Sequence, residues 1–459
     1  SKYNGIEPVT AHPNPAATAS VSATPAQLPR EMGLASATGV VIANMIGTGI
    51  FTTTGIMLMQ GLNAQLVLAC WLLGGLIALS GALCYAELAT TMPRAGGEYV
   101  YLREVYGPLP AFLTGWTSFF VGFAAPSAAA AVGAAKYLAA ANLIPAGASS
   151  EKLVACALVA ALTAVHYCGL RLGSRVQNLL TSLNVALLLG LIFAGLAASQ
   201  ADWSFLSEPA ATATINPLSI GMALLFAMFA YSGWNAASYL AEEVREPART
   251  LPRSLLLGTV AVTLLYLLLN LVFFAGAPLQ KLVGQVAVAE VAVRNLFGDS
   301  AAVWLAVMIS IALVSALSAY TLIGPRVYYA MARDGLFFRF AARVHPRFRT
   351  PSFSIAAQGT LAAVMVLSGT FEQLLFYIGF ALGIFPWMAV LGLILLRRRR
   401  PALNRPYRVW GYPLTPLFFL AATAGILVVS FIGRPGPAMW AIATVAAGIP
   451  AYWLTARRS

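Results

Sequence analysis

Long apolar segments constrain this chain more than any other feature. A helix needs about 20 mostly apolar residues to cross a bilayer. Twelve stretches satisfy that rule, near 34–60, 64–91, 98–139, 151–168, 175–198, 215–242, 254–276, 299–331, 353–369, 371–397, 413–432 and 436–456. Composition agrees, with 59% hydrophobic and 9% charged residues against about 25% charged in soluble domains, and a mean hydropathy of +0.79. The expected fold is an all-α membrane protein of twelve transmembrane helices.

The net charge of +13 comes mainly from arginines spread along short loops, not clustered on one domain. That spread argues against a nucleic-acid partner and for a topology signal. Lys136, Lys152, Lys281, Arg294 and Arg434 fall on one set of loops, and the remaining Lys and Arg of the 28 fall on the other. Basic short loops stay in the cytoplasm, so both termini are expected there, with the protein in the plasma (inner) membrane. Residues 1–31 are rich in Ser, Thr, Pro and Ala without periodicity and read as a disordered tail. That tail lacks the pattern of a signal peptide, and the initial Ser suggests processing or an expression scar.

Two helices are interrupted at mid-membrane. The first span contains "ANMIGTGIF" (43–51), and the sixth contains "YSGWN" (231–235). Gly holds helix poorly, and Thr and Ser compete for backbone groups. One Gly-x-Gly in a membrane helix ordinarily marks close packing. Breaks at matching places five helices apart point instead to an inverted-repeat transporter with a site near the midplane. The repeats would be helices 1–5 (32–198) and 6–10 (215–397), followed by helices 11 and 12 (413–456). Each break exposes N–H groups at one new helix end and carbonyls at the other. The former suit a carboxylate and the latter an ammonium group. An amino acid zwitterion would thus be held by backbone, consistent with the absence of Asp, Glu, Lys and Arg from 39–58 and 219–238.

Six blocks, "MIGTGIF", "YAELATTMPRAGGEYVYLREVYGPLPAFLTGW", "FAYSGWN", "EEVREPARTLPR", "GPRVYYAMARDGLFF" and "RPYRVWGYPLTP", occur in one order over roughly 32–432. They resemble the L-amino acid transporter (LAT) family of the amino acid–polyamine–organocation superfamily, in a bacterial-type member. The resemblance implies sodium-independent transport of L-amino acids by alternating access, often as obligatory exchange. It implies substrate contacts from Met45, Ile46, Gly47, Thr48 and Gly49, and from Phe229, Ala230, Ser232, Gly233 and Asn235. Thr48 and Gly49 match positions whose N–H groups take the substrate carboxylate, and Gly47 permits the unwinding. Met45 and Phe229 match positions whose carbonyls accept from the α-ammonium; Phe229 also matches the aromatic gate. Asn235 matches a polar residue near the substrate side chain.

Three departures stand out. Ser232 replaces a frequent Gly, which favours small or medium neutral substrates. Asn184 stands where many relatives carry a lysine, and asparagine cannot carry a proton. It is placed to bond Ser315 or Ser318, or to serve as packing polarity. The loop 141–152 has no cysteine, so no disulfide-linked heavy chain is expected.

The remaining motifs carry less. Glu87, Glu98, Glu242, Glu243 and Glu246 are candidates for gate pairs with Arg94, Arg245 or Arg326, though exposed pairs contribute only about 0–1 kcal/mol each. The run "RRRR" (397–400) reads as an orientation signal before a lipid-headgroup site. Trp116, Trp203, Trp304 and Trp410 read as interfacial anchors, and Trp387 as a minor candidate for the substrate path. Scattered His12, His166 and His345 make no metal site, the four cysteines read as small buried hydrophobes, and no cofactor is expected. Neutral amino acid exchange is the leading function. Proton-linked or facilitative carriage of cationic amino acids or polyamines, and a non-transporting sensor, are the alternatives; an enzyme would need a catalytic set that the helices lack.

Overall fold

A computed structural model describes residues 28–206, 216–368, 371–433 and 435–456. Within them the fold is helical, with one isolated bridge between Met32 and Val244 and no strand. The first break separates α1 (Leu34–Met45) from α2 (Gly49–Leu58), which are bent by 40°. Then come α3 (Ala64–Thr91), the short α4 (Glu98–Tyr106) and α5 (Pro108–Ala140), whose Ser118–Ala124 segment is π-helical. Next are α6 (Ala148–Tyr167) and α7 (Leu170–Leu196); the second break separates α8 (Pro217–Tyr231) from α9 (Ala236–Tyr239). The chain continues through α10 (Pro247–Gly276), α11 (Val288–Phe297), α12 (Asp299–Arg333) and α13 (Ser352–Ser368). It ends with α14 (Phe371–Arg399), α15 (Leu414–Gly433) and α16 (Pro435–Ala456).

Among the described residues seven helices are long and apolar enough to cross a membrane, or eight if α1 and α2 form one span. α8 and α13 are apolar but shorter; α8 is short because its span is cut at Tyr231. The stretch expected as one span at 98–139 is two elements. Gly107, at φ 92°, turns the chain between α4 and α5, and Pro108 opens α5 where its missing N–H costs nothing. α4 therefore lies outside the span.

One apolar core runs through the bundle. At its centre Trp71 of α3 packs edge-on against Tyr231 of α8 and Tyr266 of α10, with centroids 5.8 and 5.3 Å away.

One end of the bundle is locked by ion pairs. Arg326 and Glu243, each 1% exposed, pair through two hydrogen bonds of 2.7 and 2.9 Å. Arg333 bonds both oxygens of Glu242 at 2.9 Å. Arg94 and Arg103 both reach Asp334, at 3.1 and 2.5 Å. Residues 28–31, expected within the tail, are fixed here: the Leu28 N–H donates to Glu242 and the Glu31 N–H to the Glu243 carbonyl. Residues 1–27 and Arg434 lie outside the described residues.

Several expected partners differ. Glu87 pairs with Arg397 and Arg405, and Arg400 with Glu104. Arg397 also stacks 3.9 Å over Tyr412, so the arginine run is partly spent inside the protein. Arg245 reaches the Arg30 carbonyl, and Glu246 lies 3.9 Å from Arg249. Trp116 donates to the Thr444 carbonyl and is half-buried. Trp387 donates to the Leu420 carbonyl and lies outside the cavity lining.

Candidate functional site

The two breaks meet at a cavity of about 190 Å³, lined by α1, α2, α4, α5, α8, α9, α12, α14 and α15. Of the residues singled out by sequence, Met45, Gly47, Thr48, Gly49, Phe229, Ala230, Ser232, Gly233 and Asn235 line it. Ile46 is fully buried beside it.

The first break is short. α1 ends as the Ile46 N–H bonds back to Ile42, and Gly49 opens α2. No turn precedes Gly49, so the first N–H groups of α2 have no intrahelical acceptor. Thr52 and Thr53 hydroxyls bond to the Thr48 and Gly49 carbonyls one turn back, at 3.0 and 2.9 Å. The two glycines of the motif differ. A Cβ on Gly47 would meet nothing within 4 Å, whereas one on Gly49 would sit 2.7 Å from Cα and Cβ of Ala230. Gly47 leaves cavity space open; Gly49 lets α2 cross α8.

The second break is more tightly tied. Gly233 takes φ 104°, which a side chain would strain, and its carbonyl accepts from the Asn44 amide at 3.4 Å. Ser232 turns back on its own helix end: its N–H and hydroxyl both bond the Phe229 carbonyl, at 3.2 and 2.8 Å. The carbonyl expected to receive an ammonium group thus already has two donors.

Tyr266 ties the breaks together, with its hydroxyl 2.7 Å from the Met45 carbonyl and 3.0 Å from that of Ala230. Asn270, one turn on, accepts from Thr54 of α2 at 2.5 Å. Sequence reasoning missed both. The signal was a Tyr and an Asn four residues apart, on one face of the otherwise apolar "YLLLNLVFF".

The cavity also takes in Glu98, which sequence reasoning offered as a gate-pair candidate at the start of the third span. Its Oε1 accepts from Tyr85 at 2.8 Å and from the Asn235 amide at 2.6 Å. Asn235 thus faces Glu98 as well as the cavity. Burial pushes the Glu98 carboxyl up to about 7, against the lowering pull of the bonds from Tyr85, Tyr239 and Asn235. Walls that the sequence left unplaced come from Thr117 and Phe123 of α5, Leu313, Ala316 and Tyr320 of α12, and Phe385 of α14. The π-helical segment of α5 lies on this wall, as π-bulges often do at functional sites.

The Asn184 group does not assemble as expected. Asn184 is fully buried, but neither amide atom has a hydrogen-bond partner. Ser318 is taken by His166 at 2.9 Å, and Ser315 lies 3.4 Å from the Gln177 amide. The buried histidine of α6 competes for the hydroxyl that Asn184 was placed to use. Among the described residues no cluster of three His, Cys, Asp or Glu could hold a metal, and the four cysteines are free.

A helical membrane bundle with two interrupted helices facing one cavity has the make-up of a small-solute carrier. The chain matches the amino acid permease family over residues 32–453. It is 31% identical to the Asc-type amino acid transporter 1 of Mus musculus, over 93% of this chain and 81% of that one. It is 29% identical to the b(0,+)-type amino acid transporter 1 of Mus musculus, over 93% and 88%. To the serine/threonine exchanger SteT of Bacillus subtilis (strain 168) it is 32% identical, over 93% and 97%. The chain belongs to the amino acid permease family, in its LAT branch; it is a membrane amino acid transporter and not an enzyme.

Proposed function

We propose that the protein exchanges neutral L-amino acids across the plasma membrane, independently of sodium, by alternating access. The observation that carries this reading is the cavity between the two breaks, whose broken segments contribute no charged side chain. The substrate carboxylate would bond the N–H groups of Thr48 and Gly49 at the α2 start. The α-ammonium would use the Met45 carbonyl and, after the Ser232 hydroxyl rotates, that of Phe229. Phe229 would close over the substrate on the side away from the ion-pair lock. Ile46, Gly47, Ala230, Gly233 and Asn235 would shape the remaining contact. Residues 32–198 and 215–397 are read as inverted repeats and 413–456 as an added pair, giving twelve spans. The basic loops support cytoplasmic termini, and the cysteine-free loop 141–152 supports a carrier without a disulfide-linked heavy chain.

Exchange follows from the unloaded site. Emptied of substrate, the first N–H groups of α2 would face the cavity without an acceptor, so the empty carrier re-orients slowly. Proteoliposomes preloaded with labelled L-alanine or L-leucine, without sodium or a pH gradient, test this. Efflux accelerated by external neutral L-amino acids is expected. Equal efflux with and without them would indicate uniport, and binding without flux would indicate a sensor.

A further inference from the structure

Among the described residues lining the cavity, Glu98 is the one acidic side chain. It is 5% exposed and joins none of the ion pairs formed by described residues. An ionised carboxylate so buried and without a cation is costly unless it takes up a proton. The titratable groups facing it are phenols: Tyr85 of α3, Tyr101 of its own helix and Tyr239 of α9. Several charged residues on the helices packed against α4 are engaged elsewhere. On α12 and just after it, Arg326, Arg333 and Asp334 hold the lock. On α14, Arg397 and Arg400 turn to Glu87 and Glu104, and Arg399 reaches the Val105 carbonyl.

We propose that Glu98 is a proton-binding site of the carrier, loaded while the ion-pair lock is closed and emptied when that end opens. The geometry supplies the linkage. Glu98 reaches into the cavity, while the next residue, Tyr99, bonds Asp334 of the lock at 3.0 Å, and Arg94 and Arg103 on either side pair with the same Asp334. Opening the lock removes the contacts of Tyr99 and Arg103 with Asp334 and admits water to Glu98. The desolvation that favours its protonated form then disappears, and the proton leaves to that water. Asn235 conveys the change to the second break, because its amide rests on Glu98 Oε1. With the proton bound, the cavity carries no fixed charge, which suits a zwitterionic substrate.

The inference rests on the transport reading for its flux arm but not for its stability arm. Purified wild type and Glu98→Gln, which keeps the shape and an acceptor oxygen, are compared from pH 4 to 8. The folded, locked state favours protonated Glu98, so its stabilising effect is full below pH 4.5 and lost as pH rises through about 7. The Tm difference between wild type and Glu98→Gln should therefore fall through that window. In proteoliposomes, the wild-type KM for L-alanine should rise about fivefold from pH 6 to 8, with less than about twofold change in Glu98→Gln. A wild-type profile that is flat, or one retained in Glu98→Gln, overturns the proposal. So does a flat profile in which lysine competes with labelled alanine in wild type but not in Glu98→Gln, which would make Glu98 a fixed partner for cationic side chains. Absence of any flux in wild type would count against the transport reading, leaving the Tm comparison to decide the proton site.

Discussion

The two breaks that meet at the cavity are built differently. The first crosses three residues in ordinary backbone and leaves the start of α2 facing the cavity. The second is held by side chains and a left-handed glycine: Ser232 on Phe229, Asn44 on Gly233, Asn235 on Glu98. It then runs within a few residues into Glu242 and Glu243 of the lock. One break offers free N–H groups at the α2 start, and the other connects the cavity to the locked end. Division of labour is the lesson: a site that binds through bare backbone needs a neighbour whose backbone is already satisfied.

The contrast can be broken first at the lock. Arg326→Met leaves Glu243 buried without its cation, which should cost about 3–5 kcal/mol and be read as a large drop in Tm. If the second break is the connector, efflux should also lose its dependence on external substrate. Gly49→Ala comes next, because its Cβ would press on Ala230 backbone. A loss of about 1–3 kcal/mol is expected, with transport impaired. Its neighbour should behave oppositely: Gly47→Ala should leave Tm nearly unchanged, within about 0.5 kcal/mol. Its methyl group would instead occupy cavity space and raise KM about tenfold, in keeping with a lost contact of roughly 1.4 kcal/mol. The smallest effect is expected for Ser232→Gly. Freeing the Phe229 carbonyl of one donor should tighten L-alanine binding about threefold, the worth of a weak hydrogen bond. Equal effects from the two glycine substitutions would erase the distinction drawn between crossing point and open space.

Much of this was visible in the sequence, because membrane helices declare themselves locally. Apolar length marked the spans, and "GTG" and "SGWN" interrupted them where lipid would penalise exposed backbone. Contacts across the bundle were not visible. Glu98 read as a gate-pair candidate at the start of a span because nothing local shows that Gly107 separates α4 from that span and that Glu98 reaches Asn235. Asn184 was matched to Ser315 and Ser318 from helix numbering alone, while His166 and Gln177 approach those serines instead. Ser232 looked like a pocket wall, yet a hydroxyl three residues after a helical carbonyl can bond it locally.

The most direct measurement is a structure of the protein in lipid nanodiscs with a saturating neutral L-amino acid, best a side chain heavy enough to orient. Density is expected between the breaks, with the carboxylate within about 3 Å of the Thr48 and Gly49 N–H groups and the ammonium at the Met45 and Phe229 carbonyls. Density elsewhere in the cavity, or an amino acid bound in the reverse sense with its ammonium at the α2 start, would contradict it.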